Sequence, residues 1–439
     1  MSSEAGAVRE QASDNQGLEP KLRFPEFRDA GEWVEKPLGE FASLISERVG
    51  GRQFIPLSIT SGVGLVSQEE KFGRTIAGQQ LKNYLVLRKG DFAYNKSATK
   101  LYPQGYAVMY QGDEVGCVPS SIFACFSVTD NSVANSYINY QLSANLHGRW
   151  LSRFTTIGAR ANGSLNVDDN DLLALPVPLP EGPAKFAEQQ KIADCLSSLD
   201  ALISAETDKL AALRDHKKGL MQQLFPAKGE TTPRLRFLSD GEWTPESLPD
   251  VAFFQEGPGI MAVDFCDEGV PLVRLSGVSG TSVTLNGCNY LDRSKVSQKW
   301  AHFRLEPKDL VISTSATFGL VSTVTDVAAG AVFYTGLIRF RPHDERLHDG
   351  YLKAFLGSEP FARQVEAAAV GGGIKHFGPT HLKQMEISIP PMAEQMLIAE
   401  CLTSCDDVID AQMRRLDAIF AHKSGLMQQL FPSPTGATA

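Results

Sequence analysis

The chain has 439 residues, 43% of them hydrophobic, and its formal net charge at pH 7 is −9. This length and apolar content predict a soluble protein of two or three domains, and the acidic balance argues against a uniformly basic nucleic-acid-binding protein. Seven cysteines without CxxC spacing argue against a disulfide framework or a zinc ribbon. No apolar run is long enough for a signal peptide or a membrane span, so we expect a cytoplasmic protein without membrane contact.

The chain begins with an expected tail and one domain. Residues 1–19 lack periodicity and large apolar side chains, which predicts disorder. Residues 20–185 are the first predicted domain, of mixed α and β structure, with a helical stretch at 135–154 and a glycine-bearing loop at 156–164. Short β-branched and aromatic runs bounded by Gly and Pro predict its strands. These strands are expected at 54–59, 84–88, 105–110 and 121–128.

Positive charge is concentrated in part of this domain. Residues 71–100 contain seven Lys and Arg against Asp91 alone, a local charge of +6. Charge of this density could make phosphate contacts. The glycines of the 156–164 loop would let its backbone approach a phosphate or a base edge, although an ordinary connecting loop is an equal interpretation.

One stretch of the sequence occurs twice. Residues 188–226 and 394–432 share 22 of 39 positions at a constant offset of 206, without a gap. In both copies apolar residues alternate at spacings of four and three, which predicts long helices, at 186–226 and 391–432, with a narrow apolar stripe that one partner helix can cover. The residues predicted to pair the helices are Ile192, Leu196, Leu199, Ile203, Leu210, Leu213, Ile398, Leu402, Ile409, Leu416 and Ile419, interrupted by the polar Glu206, Lys217, Gln412 and Lys423.

The connection between the two copies predicts their direction. Parallel helices would force the intervening chain to return about 55 Å, the length of about 37 helical residues. Antiparallel helices need no such return, so we predict antiparallel packing with one domain at each end and a pseudo-twofold axis. A surface helix on each separate domain is the alternative interpretation.

The second domain is predicted at 227–390, and a short tail at 433–439 ends the chain. Its start repeats that of the first domain, since Pro-Arg-Leu-Arg-Phe at 233–237 corresponds to Pro-Lys-Leu-Arg-Phe at 20–24. Gly-Glu-Trp follows in both. Its strands are expected at 270–275, 281–285, 309–313 and 331–340, its helical stretch at 349–366 and its glycine-bearing loop at 370–378.

Two strand–turn–strand units are predicted at corresponding places in the two domains. One occupies residues 84–97 with the turn Lys89-Gly90-Asp91, and the other occupies residues 302–315 with the turn Pro307-Lys308-Asp309. Elsewhere the two domains diverge. Divergence of this kind is expected of modules that share a scaffold but present different surfaces.

The chain resembles the specificity subunits of type I restriction-modification systems. The resemblance is carried by the duplicated helix ending in GLMQQLFP, by the junctions LPVPLP…EQQKIADCL and IPPMAEQMLIAECL, and by the turn KGDFAYNKS. It covers nearly everything from Pro20 to Pro432. It implies an α+β fold with two mixed α/β target recognition domains, joined by two long antiparallel coiled-coil helices in a pseudo-twofold internal duplication.

The resemblance also implies a function and partners. In that family each recognition domain binds one half of a bipartite double-stranded DNA target, and the helices set the gap and dock the modification subunits. We expect two modification subunits, which methylate adenine with S-adenosylmethionine, and a restriction motor subunit that acts through the assembled complex with ATP and Mg²⁺. This chain itself is then expected to bind no cofactor.

The family has no fixed base-reading residue, so we take basic residues of the two domains as candidates for DNA binding. In the first domain these are Lys82, Arg88, Lys96, Lys100, Arg149, Arg153 and Arg160. In the second they are Arg274, Arg293, Lys295, Lys299, Arg304, Lys308 and Lys375.

No catalytic motif is found in the sequence. It has no Asn/Asp-Pro-Pro-Tyr/Phe tetrapeptide for amino methylation, no GxxxxGK[S/T] phosphate loop and no His/Cys metal set. We therefore expect a non-catalytic subunit. Two other functions stay open: a coiled-coil scaffold with two protein-binding end domains, which the acidic charge favours, and a self-sufficient enzyme, which the missing motifs argue against. The DNA sequence bound and the gap length are not specified.

Overall fold

The computed structural model describes residues 18–60, 63–99, 102–154, 165–239, 241–314, 320–368 and 377–432. Helices and small sheets are mixed along the chain, and the predicted α+β class is confirmed. The chain divides into two compact units, of which the first comprises Met1–Ala205 with Leu416–Ala439 and the second comprises Glu206–Arg415. Each unit therefore contains a part of both long helices.

Among its described residues, the first unit contains ten strands and four short helices before its long helix. The strands are β1 Trp33–Pro37, β2 Ala42–Leu44, β3 Ile55–Thr60, β4 Gly64–Ser67, β5 Leu85–Leu87, β6 Phe92–Asn95, β7 Tyr106–Met109, β8 Gly116–Val118, β9 Phe123–Val128 and β10 Pro176–Pro180. The helices are α1 Gln68–Phe72, α2 Asn135–Ser143, α3 Leu146–Leu151, α4 Asp169–Leu173 and the long α5 Lys185–Leu224, which continues into the second unit.

Three small sheets form the first unit. β1 pairs with β10, the strand order β2-β9-β6-β7 makes an antiparallel sheet, and the order β4-β3-β8-β5 makes a third sheet in which β3 and β8 are parallel. β6 is apolar on both faces because it separates two cores. Phe92 packs in the core with α2 and stacks on Phe126 at 4.9 Å, whereas Ala93 packs in the core of the third sheet.

Among the described residues, the second unit also has three small sheets. Its strands are β11 Thr244–Ser247, β12 Ala252–Glu256, β13 Phe265–Cys266, β14 Val270–Val273, β15 Asn289–Leu291, β16 Leu310–Ser313, β17 Val321–Thr323, β18 Val332–Phe333, β19 Leu337–Pro342 and β20 Glu386–Ile389. Its helices are α6 Leu248–Val251, α7 Arg293–Lys295, α8 Asp349–Leu356, α9 Glu359–Ala368, α10 Pro379–Leu382 and the long α11 Met392–Leu430, which continues into the first unit.

Strand order in the second unit follows that of the first in two of the three sheets. β11 pairs with β20, and the antiparallel sheet has the order β12-β19-β16-β17, the counterpart of β2-β9-β6-β7. The third sheet differs. Its order is β13-β15-β14-β18, and its parallel pair, β14 with β18, lies at the edge of the sheet, whereas β3 and β8 lie in the middle of theirs. Leu310 and Val311 again lie in two different cores on opposite faces of one strand.

Three sequence-based predictions in the second unit are wrong. The strand expected at 331–340 is two strands, β18 and β19, which belong to different sheets. Residues 281–285 do not form a strand, because their backbone meets β17 only at Thr323. The Thr323 amide donates to the Thr281 carbonyl and the Thr323 carbonyl accepts from the Val283 amide, both at 2.9 Å. The segment 302–315 is not a strand–turn–strand unit either. Ala301–Phe303 is a 3₁₀ turn, and only one residue after it, Arg304, makes a bridge before β16 begins.

The two predicted turns, Lys89-Gly90-Asp91 in the first unit and Pro307-Lys308-Asp309 in the second, do correspond in structure. The Asp91 carboxylate accepts a hydrogen bond from the Arg88 amide at 2.7 Å, and the Asp309 carboxylate accepts one from the Glu306 amide at 2.8 Å. Gly90 has a φ of 93°, but Lys308 adopts a left-handed φ of 74° with a side chain attached. Such a conformation is uncommon outside glycine, and it fixes where the Lys308 side chain leaves the turn.

Single helices cover both copies of the repeated stretch. In the first unit Ile192 and Leu196 share a core with Leu430 and Leu426, and Asp200 accepts a hydrogen bond from Lys423. From Ile192 to Asp200 the residue numbers rise along α5, while those of their partners on α11 fall from Leu430 to Lys423. Within this unit the two segments therefore run in opposite directions.

The second unit contains the matching pair of segments. Glu206 accepts hydrogen bonds from the Gln412 amide at its carboxylate, at 2.7 Å, and at its backbone carbonyl, at 2.9 Å. The Gln412 hydrogen bond lowers the pKa of Glu206. Lys217 forms an ion pair with Asp406, and Leu224 shares a core with Ile398. All residues predicted to pair the helices are buried or half-buried.

The repeated domain openings are tied to the first turn of each long helix. Arg23 donates two hydrogen bonds to the Glu188 carboxylate, both at 2.8 Å. In the second unit Arg236 donates to Glu394 at 2.7 and 3.1 Å, and the Trp243 indole donates to the same carboxylate at 3.2 Å. Bidentate Arg–carboxylate pairs of this kind are geometrically specific, which explains why the openings recur in the sequence.

His147, on α3, is fully buried and should make the stability of the first unit depend on pH. Its Nε2 lies 3.3 Å from the Gly105 carbonyl, and burial lowers the pKa of its imidazole to about 4. The unfolded chain takes up the proton near pH 6.5 and the folded chain near pH 4, so stability is lost as pH falls through that window, by about 3 kcal/mol. Comparing the unfolding free energies of the wild type and His147→Gln at pH 7 and pH 4 measures this effect. A difference that stays constant with pH would contradict the prediction.

Candidate nucleic-acid interface

Eleven of the fourteen basic residues predicted to bind DNA lie in the described part of the chain. Lys100, Arg160 and Lys375 lie outside the described residues, as do most of the two glycine-bearing loops. The structure gives each of the eleven a local environment. These environments separate side chains that are held by nearby protein groups from side chains that remain exposed.

Three of the predicted residues lie next to strands β5 and β6 of the first unit. Lys96 is half-buried, and its ammonium donates to the Asp169 carboxylate at 2.9 Å and to the Val167 carbonyl at 3.1 Å. Arg88 donates to Glu47 at 2.7 Å. Hydrogen bonds from Arg88 and from Arg52 lower the pKa of Glu47 to about 2, so this carboxylate stays charged near neutral pH. Lys82 is exposed on the 3₁₀ turn Gln79–Asn83.

The local charge of +6 is therefore partly neutralised in space. Glu47, Asp113 and Asp169 lie outside residues 71–100 in sequence, but they form ion pairs with Arg88, Lys89 and Lys96. Exposed pairs of this type are weak and exchange readily with another anion. Lys96 is the exception because it is also bonded to a backbone carbonyl.

Arg149 and Arg153 lie at the end of α3. Both side chains are exposed, and the Arg153 guanidinium lies over the Trp150 ring at 5.3 Å from its centroid. The Trp150 indole donates to the Asp171 carbonyl at 2.8 Å, so the ring that supports Arg153 is itself fixed. An Arg held in this way can present its planar guanidinium with little further loss of conformational freedom.

In the second unit several candidates surround the segment Asp264–Phe265. Lys295 lies 3.0 Å from the Asp264 carboxylate. The Arg274 guanidinium lies 4.2 Å from the centroid of Tyr334 and 5.8 Å from that of Phe265, and it donates to the Asn289 side chain at 2.7 Å. The structure thus brings together residues that are distant in sequence, such as Lys295 and Asp264, which are 31 positions apart.

Four further candidates differ in exposure. Arg293 and Lys299 are exposed and form no ion pair with any of the described residues. Arg304 is half-buried and donates to the Gly330 carbonyl at 2.7 Å. Lys308 is exposed, with its ammonium 4.0 Å from Asp349. Binding of DNA by these side chains stays a prediction.

Sequence reasoning missed a buried charge network beside this region. Arg339 is 4% exposed, and its guanidinium donates to the carbonyls of Arg304 and His302 at 2.6 and 3.0 Å. Asp309, 1% exposed, accepts two hydrogen bonds from Arg341 and lies 3.6 Å from Arg339. Alternation in LIRFRP at 337–342, with Arg at every second place, was the available signal. The network fixes the backbone at Arg304.

The part of the chain that the structure describes holds no group of three or more His, Cys, Asp or Glu residues able to bind a metal ion. Within those same residues, no helix combines the length and the apolar character that a membrane crossing requires.

Comparisons with known proteins agree with this architecture. Residues 241–419 match the family model of the type I restriction modification DNA specificity domain. The chain is 24% identical over 279 residues to the type I restriction enzyme MjaVIII specificity subunit of Methanocaldococcus jannaschii, which covers 62% of this chain and 64% of that protein. It is 23% identical over 336 residues to a putative MjaX specificity subunit of the same organism, covering 74% of each. The chain thus spans just under two thirds of the first of these relatives.

Solved structures show the same fold. A chain from a structure concerned with complex assembly and conformational transition of the type I R-M system superposes with a TM-score of 0.56, at 15% identity, covering 92% of this chain and 98% of that one. The S subunit of a type I restriction-modification system from M. genitalium superposes with a TM-score of 0.50, at 14% identity, covering 94% and 99%. The resemblance to type I restriction-modification specificity subunits is confirmed, and residues 241–419 of this chain match the model of their DNA specificity domain.

Proposed function

We propose that this chain is the DNA sequence-recognition subunit of a type I restriction-modification complex, and that each unit binds one half of a bipartite target. The observation that carries the proposal is the repeated topology. Both units have the same strand order in their antiparallel sheet, and the third sheet of each also contains a parallel pair. Two copies of one scaffold with different surface residues suit two different half-sites.

An internal duplication is the simplest origin of that topology. Arg23 with Glu188 and Arg236 with Glu394 form equivalent ion pairs, each joining a domain opening to the start of a long helix. Random drift would not preserve both partners twice at these places. We infer that the two target recognition domains and their helices descend from one ancestral copy.

The two long helices are proposed to form an antiparallel coiled coil that sets the gap between the half-sites. Support comes from the helix contacts within each unit, where Asp200 meets Lys423 and Lys217 meets Asp406. These two ion pairs occupy equivalent positions in the repeat. Glu206 with Gln412 adds a buried polar pair, and a polar pair inside an apolar stripe favours one register over others at some cost in stability.

The proposed partners are double-stranded DNA, two modification subunits and, through the assembled complex, a restriction motor subunit. Methylation with S-adenosylmethionine and DNA translocation with ATP and Mg²⁺ would then belong to those partners, and the complex would act in the cytoplasm. The fold of this chain is similar to that of a chain from a structure concerned with complex assembly of the type I R-M system, which supports a role inside an assembly. The net charge of −9 supports dependence on partners, because phosphate neutralisation supplies much of the affinity for DNA.

Mapping of methylated adenines tests this function. A strain that expresses this chain with its modification subunits should carry methylation at one bipartite sequence. Strains that express either component alone should carry none at that sequence, because recognition and chemistry are divided between the chains. Methylation by this chain alone would indicate a self-sufficient enzyme, and no methylation together with tight binding to another protein would indicate a scaffold.

A further inference from the structure

Two strongly exposed apolar side chains lie on a short turn of the second unit. Met261 is 71% exposed and Val263 is 81% exposed, although both belong to the apolar run Ile260–Val263. Between Gly259 and the start of β13, the 3₁₀ turn Ala262–Asp264 carries them. Val263 has no hydrogen-bonding group, and Met261 has only its thioether sulfur, which is a weak acceptor. Neither side chain can donate a hydrogen bond to a phosphate or to a base edge.

Contacts of the neighbouring residues Ile260 and Asp264 hold in place the turn that carries these side chains. Ile260 is 2% exposed and packs in one core with Leu291 and Val296. The Asp264 amide donates to the Met261 carbonyl at 2.9 Å, and the Asp264 carboxylate forms an ion pair with Lys295 at 3.0 Å. The exposure of Met261 and Val263 is therefore a property of an anchored turn.

Cationic residues adjoin the turn. Lys295 lies on α7, whose first residue is Arg293, and Lys299 lies one helical turn further along the chain. Asp264 offsets the charge of Lys295, whereas Arg293 and Lys299 form no ion pair with the described residues. The local arrangement is an apolar tip that the Asp264–Lys295 ion pair joins to a helical segment, and this segment carries the further cations Arg293 and Lys299.

DNA offers one group that suits an apolar tip beside cations. Phosphates and most groove edges are polar, but thymine presents its 5-methyl group in the major groove. Cations next to the tip suit the flanking phosphates. We propose that Met261 and Val263 contact thymine 5-methyl groups in the half-site bound by the second unit, with Arg293 and Lys299 on nearby phosphates. This inference rests on the proposed function.

Deoxyuridine provides the test, because it removes the methyl group and keeps base pairing. The full chain, assembled with its modification subunits, is measured against its mapped target with each thymine of one half-site replaced in turn by deoxyuridine. Wild-type complex should lose about fourfold in affinity for each contacted methyl, the effect of one buried carbon group. The double variant Met261→Ser, Val263→Ser should bind the two DNAs equally.

A matched control comes from the same unit. Val327 is 68% exposed on a different turn, so Val327→Ser should keep the wild-type sensitivity to deoxyuridine. The inference would be overturned if deoxyuridine lowered the affinity of the double variant as much as that of the wild type. It would also be overturned if no thymine of either half-site lowered the affinity of the wild type on replacement. Failure of the double variant to join the modification subunits, while Val327→Ser joins them, would make the turn a protein-docking surface and also overturn it. If wild-type complex selects no bipartite target at all, the proposed function itself fails.

Discussion

Inserting seven residues into each long helix should leave both half-sites unchanged and widen the gap between them by about three base pairs. A heptad adds about 10 Å of helix, and base pairs are spaced by about 3.4 Å. The heptad also keeps the apolar stripe in phase, so the helices can still pair. Every original target site would then lose methylation, and a new set with the longer gap would gain it.

The structure indicates where the insertion belongs. Glu206 contacts Gln412, and these two residues are also equivalents in the sequence repeat. Insertions after Asp208 and after Arg414 therefore lie at equivalent positions of the two copies and close to this contact. Both flanking ion pairs, Asp200 with Lys423 and Lys217 with Asp406, can re-form after the paired insertion.

Sequencing of methylated positions in a strain carrying the lengthened chain and the modification subunits measures the gap. An insertion in one helix alone is the control. It keeps one flanking ion pair in register and displaces the other by a heptad, so we expect failure of folding or assembly. An assembled, doubly lengthened chain that still methylates the original sites would show that the helices do not set the gap.

Substitution of Glu394 by Ala should lower the free energy of unfolding of the second unit by about 3 kcal/mol. The Glu394 carboxylate is fully buried, and it accepts hydrogen bonds from Arg236 and from the Trp243 indole. Its removal would leave a mostly buried guanidinium and a buried indole N–H without that acceptor, and an unsatisfied buried donor carries a full desolvation cost.

Denaturant unfolding of the full chain, followed by tryptophan fluorescence, measures this loss. Glu400→Ala is the matched control, because Glu400 lies on the same helix but is exposed. That variant should change stability by less than about 0.5 kcal/mol. Equal effects of the two substitutions would mean that the Arg236 pair contributes no more than a surface carboxylate does.

Local patterns in the sequence predicted the regular elements well. The 4-3 spacing of apolar residues in the repeat predicted both long helices, because periodicity depends only on neighbouring residues. The same logic failed at 281–285. Val283 is buried there, but a strand also needs a partner backbone along its length, and this segment finds one only at Thr323, through the Thr281 carbonyl and the Val283 amide.

The candidate interface was harder to predict because it depends on contacts between distant residues. Lys96 seemed available for DNA, yet Asp169, 73 positions away, holds it. Arg88 is likewise paired with Glu47, 41 positions away. Met261 and Val263 were missed for the opposite reason, since an apolar run in the sequence is normally taken as core.

The first unit is built from two segments that are far apart in the chain, and this affects its folding during synthesis. Leu430 and Phe431 complete the core that contains Ile192, and the Leu22 amide donates to the Gln429 carbonyl at 3.0 Å. The ribosome must therefore add about 210 further residues, 206–415, before the last segment of the first unit emerges. At 5–20 residues per second this takes roughly 10–40 s. During that interval the first unit stays incomplete and exposes part of its core, whereas the second unit already has all its residues when the final segment is made.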